Sequence, residues 1–205
     1  MTHSTAHTTG QFDSSANPTT LPLTLENYQT LIRAGAFIDS RGRIELINGR
    51  LVQMNPQGPQ HSEPIDVLEE WSHDVVQKKF RIRIEKPLDI PSNQSCPEPN
   101  VAWVKRGSYF DRHPVGEEVY LLIEVSDSSA HFDRTEKRDL YANASIGEYW
   151  IVDIAGRRVE VYRDPVEGQY RQSSTHSESE TLSPLCLPEA KIALSGLFRA
   201  ASDGQ

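Results

Sequence analysis

The segment Val119-Tyr-Leu-Leu-Ile-Glu-Val-Ser126 constrains the fold more than any other stretch of the chain. It is apolar on both faces until close to its end, whereas a strand with one wet face would alternate. Such a strand belongs at the centre of a sheet covered on both sides by helices. Next along the chain, Asp133-Arg-Thr-Glu136 resembles a capping box with Asp133 in the cap position, opening a helix that runs to about Ser145 and ends at Gly147. Glu148–Ile154 and Arg158–Arg163 read as two more strands around a short turn at Gly156.

The upstream half supplies the remaining elements of an α/β domain. Thr24 is a good N-cap for a helix whose Leu25, Tyr28, Leu31 and Ile32 share one face, with Gly35 suited to its C-terminal stop. Asn48-Gly49 between the apolar-rich runs 43–47 and 50–54 predicts a β-hairpin, because a type I′ turn needs positive φ at both central residues. A second helix has Pro64 near its first turn and an apolar stripe of Ile65, Leu68, Val75, Val76 and Phe80. Arg81–Lys86 and Pro97–Val104 read as strands, the latter entered through prolines. Residues 164–181 are polar and read as a loop, and a short terminal helix is expected within Ala190–Phe198. The organisation expected is a disordered tail at 1–20, one domain at 21–198 and a C-terminal tail at 199–205.

Composition excludes several function classes. No apolar run approaches the roughly 20 residues a membrane-spanning helix needs, and the Thr-, Ser- and His-rich start of the chain lacks the pattern of a secretory signal. Cys96 and Cys186 show neither metal-ligand spacing nor a disulfide framework, so a cytoplasmic protein with reduced thiols is expected, although two cysteines can still pair. A net charge of −8 argues against a general nucleic-acid coat. It leaves room for an enzyme with a local basic groove and a metal to offset its carboxylates.

Glu124 is the most informative residue, because a carboxylate at the end of an apolar strand is costly to bury without a partner. It is either a metal ligand or one half of a structural salt bridge. Lys137 and Tyr141 are four residues apart and share a helix face, which is either part of a site or an ordinary solvated surface. The ordered set carries the functional case: Glu124, then Ser126-Asp-Ser-Ser129, Asp133, Lys137, Tyr141, and Gly147-Glu-Tyr-Trp-Ile-Val-Asp153.

The segment Leu121–Asp153 closely resembles the Uma-type endonucleases, a family long known as a domain of unknown function. Upstream, LTLENY at 23–28, IELINGRLVQM at 44–54 with His61 soon after, and VAWVKRGSYFDRHP at 101–114 follow the family's order, as does RRVEVYRD at 157–164. The resemblance spans about residues 21–198. It implies the restriction-endonuclease-like fold of the PD-(D/E)XK superfamily: a mixed central sheet flanked by helices, with an N-terminal helix and β-hairpin. It also implies a Mg²⁺- or Mn²⁺-dependent hydrolase that cuts phosphodiester bonds in DNA. By the same resemblance Glu124 is a metal ligand, Lys137 the catalytic cation, Tyr141 a supporting or phosphate-side group, and Glu45 an auxiliary acid. Ser126 stands where the lysine usually lies, and Arg134 is one of several basic residues able to line a phosphate groove; both are candidate substrate-binding groups.

The chain departs from the family pattern at Pro99-Asn100, where Pro-Asp is usual. Asn100 offers a carbonyl oxygen but no charge, and Glu98, two residues earlier on the same strand face, is a candidate replacement ligand. Two outcomes remain open: a nuclease with a weakened metal site, or an inactive relative that serves as a DNA- or protein-binding module. By analogy with nucleases that cut both strands, a homodimer is expected.

Overall fold

The computed structural model describes residues 20–198, so both expected tails, apart from Thr20, lie outside the described residues. Helix α1 (Leu25–Arg33) precedes a hairpin of β1 (Ile44–Ile47) and β2 (Arg50–Gln53), and α2 (Pro59–Val76) follows. A six-stranded sheet then forms in the order β3-β4-β5-β6-β7-β8 from Arg81–Ile84, Val101–Val104, Val119–Ser126, Glu148–Asp153, Arg158–Val166 and Gln169–Ser177. Only β5 and β6 pair in parallel; the other neighbours are antiparallel. A parallel pair needs a crossover, and here it is a helix built from Ala130–Phe132, a π-helical turn Asp133–Lys137, and Arg138–Asn143, together called α3. A small pair, β9 (Thr181–Leu182) and β10 (Ile192–Ala193), closes the described chain with a 3₁₀ turn at Leu194–Phe198.

Strand alternation sorts the side chains of β5 between two cores. Leu121, Ile123 and Val125 join Trp103, Trp150, Val159 and Val161 under α2 and the C-terminal segment. Leu122 points the other way, with Ala102, Tyr149 and Ile151, against Leu140 and Tyr141 of α3 and Ile47 of the hairpin. Glu124 and Ser126 have the parity of Leu122, so the two-residue period of the strand delivers both to the α3 side.

The central strand and the hairpin match expectation; Asn48 and Gly49 have φ of 49° and 72°. Several readings change: α2 ends at Val76, short of Phe80, and β4 begins at Val101, so Glu98 and Asn100 precede the strand instead of sharing a face of it. Residues 169–177 form the edge strand β8, joined to β7 by Glu167-Gly168 with φ of 52° and 76°, another tight two-residue turn. As an edge strand it is mostly exposed, so it carries none of the apolar alternation by which strands are read. Asp133 is not a cap, because α3 begins three residues earlier and Asp133 lies within its π turn. In α2 it is Pro59 that opens the first turn, and Pro64 lies inside the helix. The terminal helix is the single 3₁₀ turn already named.

Candidate active site

The site forms where the carboxyl end of β5 meets α3, with the β1–β2 hairpin folded over that face of the sheet. Asp133, Lys137 and Tyr141 are spaced by four, so they line one face of α3 and meet alternate residues of β5. Ser126 Oγ and Ser129 Oγ each donate to Asp133 Oδ2 at 2.6 Å. Lys137 Nζ donates to Glu124 Oε1 at 2.9 Å, and the Tyr141 hydroxyl donates to the same oxygen at 2.7 Å. Both donors converge on Oε1, leaving Oε2 without a hydrogen bond among the described residues.

Beneath this pair lies Glu45 of β1, whose side chain is fully buried. Lys137 Nζ is 3.4 Å from Glu45 Oε2, and Arg43 Nε is 3.6 Å from Glu45 Oε1. Neither Glu45 oxygen accepts a hydrogen bond among the described residues. Arg43 also pairs with Glu85 at 3.0 Å and approaches Glu98 at 3.7 Å. Four carboxylates, Glu45, Glu85, Glu98 and Glu124, thus share two cations, Arg43 and Lys137. The arrangement is anionic in excess and has a buried acceptor to spare.

Asn100, just before β4, has its amide engaged. Its Oδ1 accepts from the Val125 N–H at 2.8 Å and its Nδ2 donates to Glu85 Oε1 at 3.3 Å. A cleft of about 190 Å³ opens over the group, lined by Asn100, Glu124 and Lys137 with Arg43, His61 and Asp127 among its walls. The His61 Nε2 is buried in that wall with no hydrogen-bond partner among the described residues.

Burial pushes the Glu124 carboxyl up to about 7, against the opposing pull of Lys137. For the Lys137 amine burial works downward, but Glu124 and Glu45 outweigh it and hold the group above its ordinary value. Desolvation keeps the His61 ring below its ordinary pKa and therefore neutral at pH ~7.

A family model described as "Uma2: Putative restriction endonuclease" matches residues 25–195. The chain belongs to the Uma2 family. A solved structure described as that of "a putative nuclease belonging to DUF820 from Anabaena variabilis ATCC 29413" superposes with a TM-score of 0.69. The two share 17% identity over 86% of this chain and 98% of the other, a likeness that shows the nuclease-type fold. No curated protein matches the chain. No helix among the described residues is long and apolar enough to cross a membrane.

In this Uma2 chain, tertiary folding brings together Glu124, Lys137, Tyr141 and Glu45, with Asn100 at the rim of the cleft and Glu98 joined through Arg43. Of the expected site residues, Asn100, Glu124 and Lys137 line the cleft, whereas Glu45, Glu98, Tyr141, Ser126 and Arg134 lie outside its lining. Ser126 is fully buried and holds Asp133, while Arg134 bonds Glu160 at 2.9 Å and Asp153 at 2.6 Å, tying α3 to β6 and β7. Sequence patterning does not mark Arg43 or Glu85 as site residues. The available signal for Arg43 is its two-residue spacing from Glu45, which sets both on one strand face. Glu85 has none, since it follows β3 at a φ of 49° that no pattern foretells.

The raised Glu124 carboxyl has a consequence for the metal-free chain. A folded pKa of about 7 against roughly 4.3 unfolded means that folding takes up a proton between those values. The native state binds more protons there, so this group's contribution to stability falls as pH rises through the window and levels off above it. Urea unfolding of Glu124→Gln and the parent at about pH 5 and about pH 8 should show the difference moving in the variant's favour at the higher pH. A difference that ignores pH would mean the carboxyl titrates at its ordinary place.

Proposed function

We propose that the chain is an endonuclease that hydrolyses DNA phosphodiester bonds with Mg²⁺ or Mn²⁺, through a metal site weakened by Asn100. The observation that supports this most is the buried Glu45 carboxylate, which accepts no hydrogen bond among the described residues and lies beneath a cleft already rich in carboxylates. Buried acceptors are rarely left unsatisfied, and hard cations take oxygen ligands. The donor set therefore fits such an ion, with Glu124 and Glu45 to hold it and Asn100 or Glu98 as poorer companions. When bound, a hard divalent cation supplies charge stabilisation at the phosphate and makes water a stronger nucleophile at neutral pH.

The protein's own groups perform the rest. Tyr141 and Lys137 fix one oxygen of Glu124, which orients the carboxylate and directs its other oxygen to the ligand. The Lys137 ammonium stays charged, ready to stabilise negative charge that develops on the phosphate. Arg43, in the cleft wall, can hold a phosphate oxygen, and neutral His61 can accept the proton of the attacking water. Ser126 and Arg134 serve as scaffolding in this reading, holding α3 against the sheet.

A second reading, a non-catalytic binding module, draws on Asn100, whose amide is satisfied on both sides by protein groups. The full chain, assayed on supercoiled and linear DNA over Mg²⁺ and Mn²⁺ titrations with a chelator control, separates the two. Asn100→Asp sharpens the comparison, because it sets a second carboxylate against Glu85 and removes the amide donor. Divalent-metal affinity should rise about tenfold or more, the scale of one added charge at short range. Metal-dependent cleavage by the parent supports the enzyme. Cleavage by Asn100→Asp alone shows that this copy lost its chemistry, and intact DNA from both overturns the nuclease reading.

A further inference from the structure

A second group of ligand-type side chains lies outside the cleft lining. Oxygen, sulfur and nitrogen atoms of Asp89, Cys96 and His113 come within 4.8 Å of one another. The three arrive on backbone segments locked in register. Asp89 N–H donates to the Pro114 carbonyl at 2.9 Å, and Asp89 bridges to Val115. Cys96 N–H donates to the Leu46 carbonyl at 2.7 Å, one residue along β1 from Glu45, and Ile90 pairs with Ser95 between the two ligands.

Asp89 is the anomaly. It is 8% exposed, yet among the described residues it has no ion pair with any lysine or arginine. Its protein partners are neutral: Gln29 Nε2 donates to its two oxygens at 3.3 and 3.1 Å, and Cys96 Sγ lies 3.6 Å from Oδ1. The half-buried His113 ring makes no hydrogen bond among the described residues, and Cys96 is a free thiol. Buried carboxylates are normally paired with a cation or bound to a metal.

We propose that Asp89, Cys96 and His113 form a Zn²⁺ site, separate from the cleft, that fastens the 105–115 loop to the segment beside β1. One sulfur, one imidazole nitrogen and one carboxylate oxygen suit zinc; magnesium, which takes oxygen alone, is excluded by the same set. Gln29 donates to both oxygens of the carboxylate and orients it, as groups beyond the ligands do in such sites. A surface opening lined by Gln29, Asp89, Arg112 and His113 reaches two of the three ligands and gives water a route to a fourth position. Binding displaces the Cys96 thiol proton to solvent, so one proton is released per ion bound.

Cobalt(II), a spectroscopic stand-in for zinc, tests this on the chelator-treated full chain. Titration should give a thiolate-to-cobalt charge-transfer band and four-coordinate ligand-field bands that saturate at one equivalent and disappear when Zn²⁺ is added. Cys96→Ser should remove the charge-transfer band, and His113→Ala should weaken binding about 10²-fold or more. Because Cys96 is buried, its variant risks misfolding, and His113→Ala on the exposed loop keeps the result readable. Zn²⁺ should raise the Tm of the parent and not that of His113→Ala. Glu124→Gln should keep the cobalt spectrum, so a failure of the nuclease reading leaves this result untouched. Absence of a thiolate band in the parent, or an unaltered spectrum in His113→Ala, overturns the site.

Discussion

Glu124→Gln is expected to slow metal-dependent DNA cleavage by at least about 10²-fold while leaving the fold intact. The amide has the shape of the carboxylate and can still accept from Lys137 Nζ and the Tyr141 hydroxyl, which sit 2.9 and 2.7 Å from Oε1. What it loses is charge, at a carboxylate that lines the cleft and keeps one oxygen free of protein donors among the described residues. Divalent-metal affinity, read by calorimetry, should therefore fall in step with cleavage, and far-UV circular dichroism should match the parent. Cleavage at the parental rate would remove Glu124 from the metal site. Lost cleavage with unchanged metal binding would instead assign it a role in the chemical step alone.

Lys137→Met is expected to produce the largest loss of stability of any substitution at the site. Its side chain is 1% exposed and stands between two carboxylates that are themselves 0% and 3% exposed. Without the ammonium, Glu124 and Glu45 face each other in a poorly solvated space. Removing one partner of a buried pair costs about 3–5 kcal/mol. For a domain of this size that is a fall in Tm of roughly 6–20 °C, with urea unfolding as the check. Adding Glu45→Gln to Lys137→Met should recover part of the loss, because it removes one stranded charge. Mg²⁺ should also stabilise the single variant more than the parent, since the ion would stand in for the missing amine. A stability change no larger than that of an exposed lysine would contradict the burial of the pair.

The sequence alone was enough to place the central strand, the crossover helix and the first hairpin, because each writes its physics locally. Val119–Ser126 is apolar on both faces, Asn48-Gly49 meets the demands of a type I′ turn, and the spacing of Lys137 and Tyr141 puts them on one helix face. Those same local rules, with the family resemblance, also led to Glu124, Lys137 and Tyr141 as a set.

Tertiary structure alone decided what each of these groups faces. Edge strand β8 is polar because nearly all of its residues, on both faces, meet water, so its pairing with β7 leaves no periodic trace. The sharing of Arg43 among Glu45, Glu85 and Glu98 joins residues more than fifty positions apart, and the engagement of the Asn100 amide depends on a backbone N–H in another strand. Cys96 offered no ligand spacing along the chain; only folding brings Asp89 and His113 to it from separate segments. Helical and strand periods report neighbours a few bonds away. Charge pairing and ligand geometry are set by contacts through space, and those exist only once the chain has closed around them.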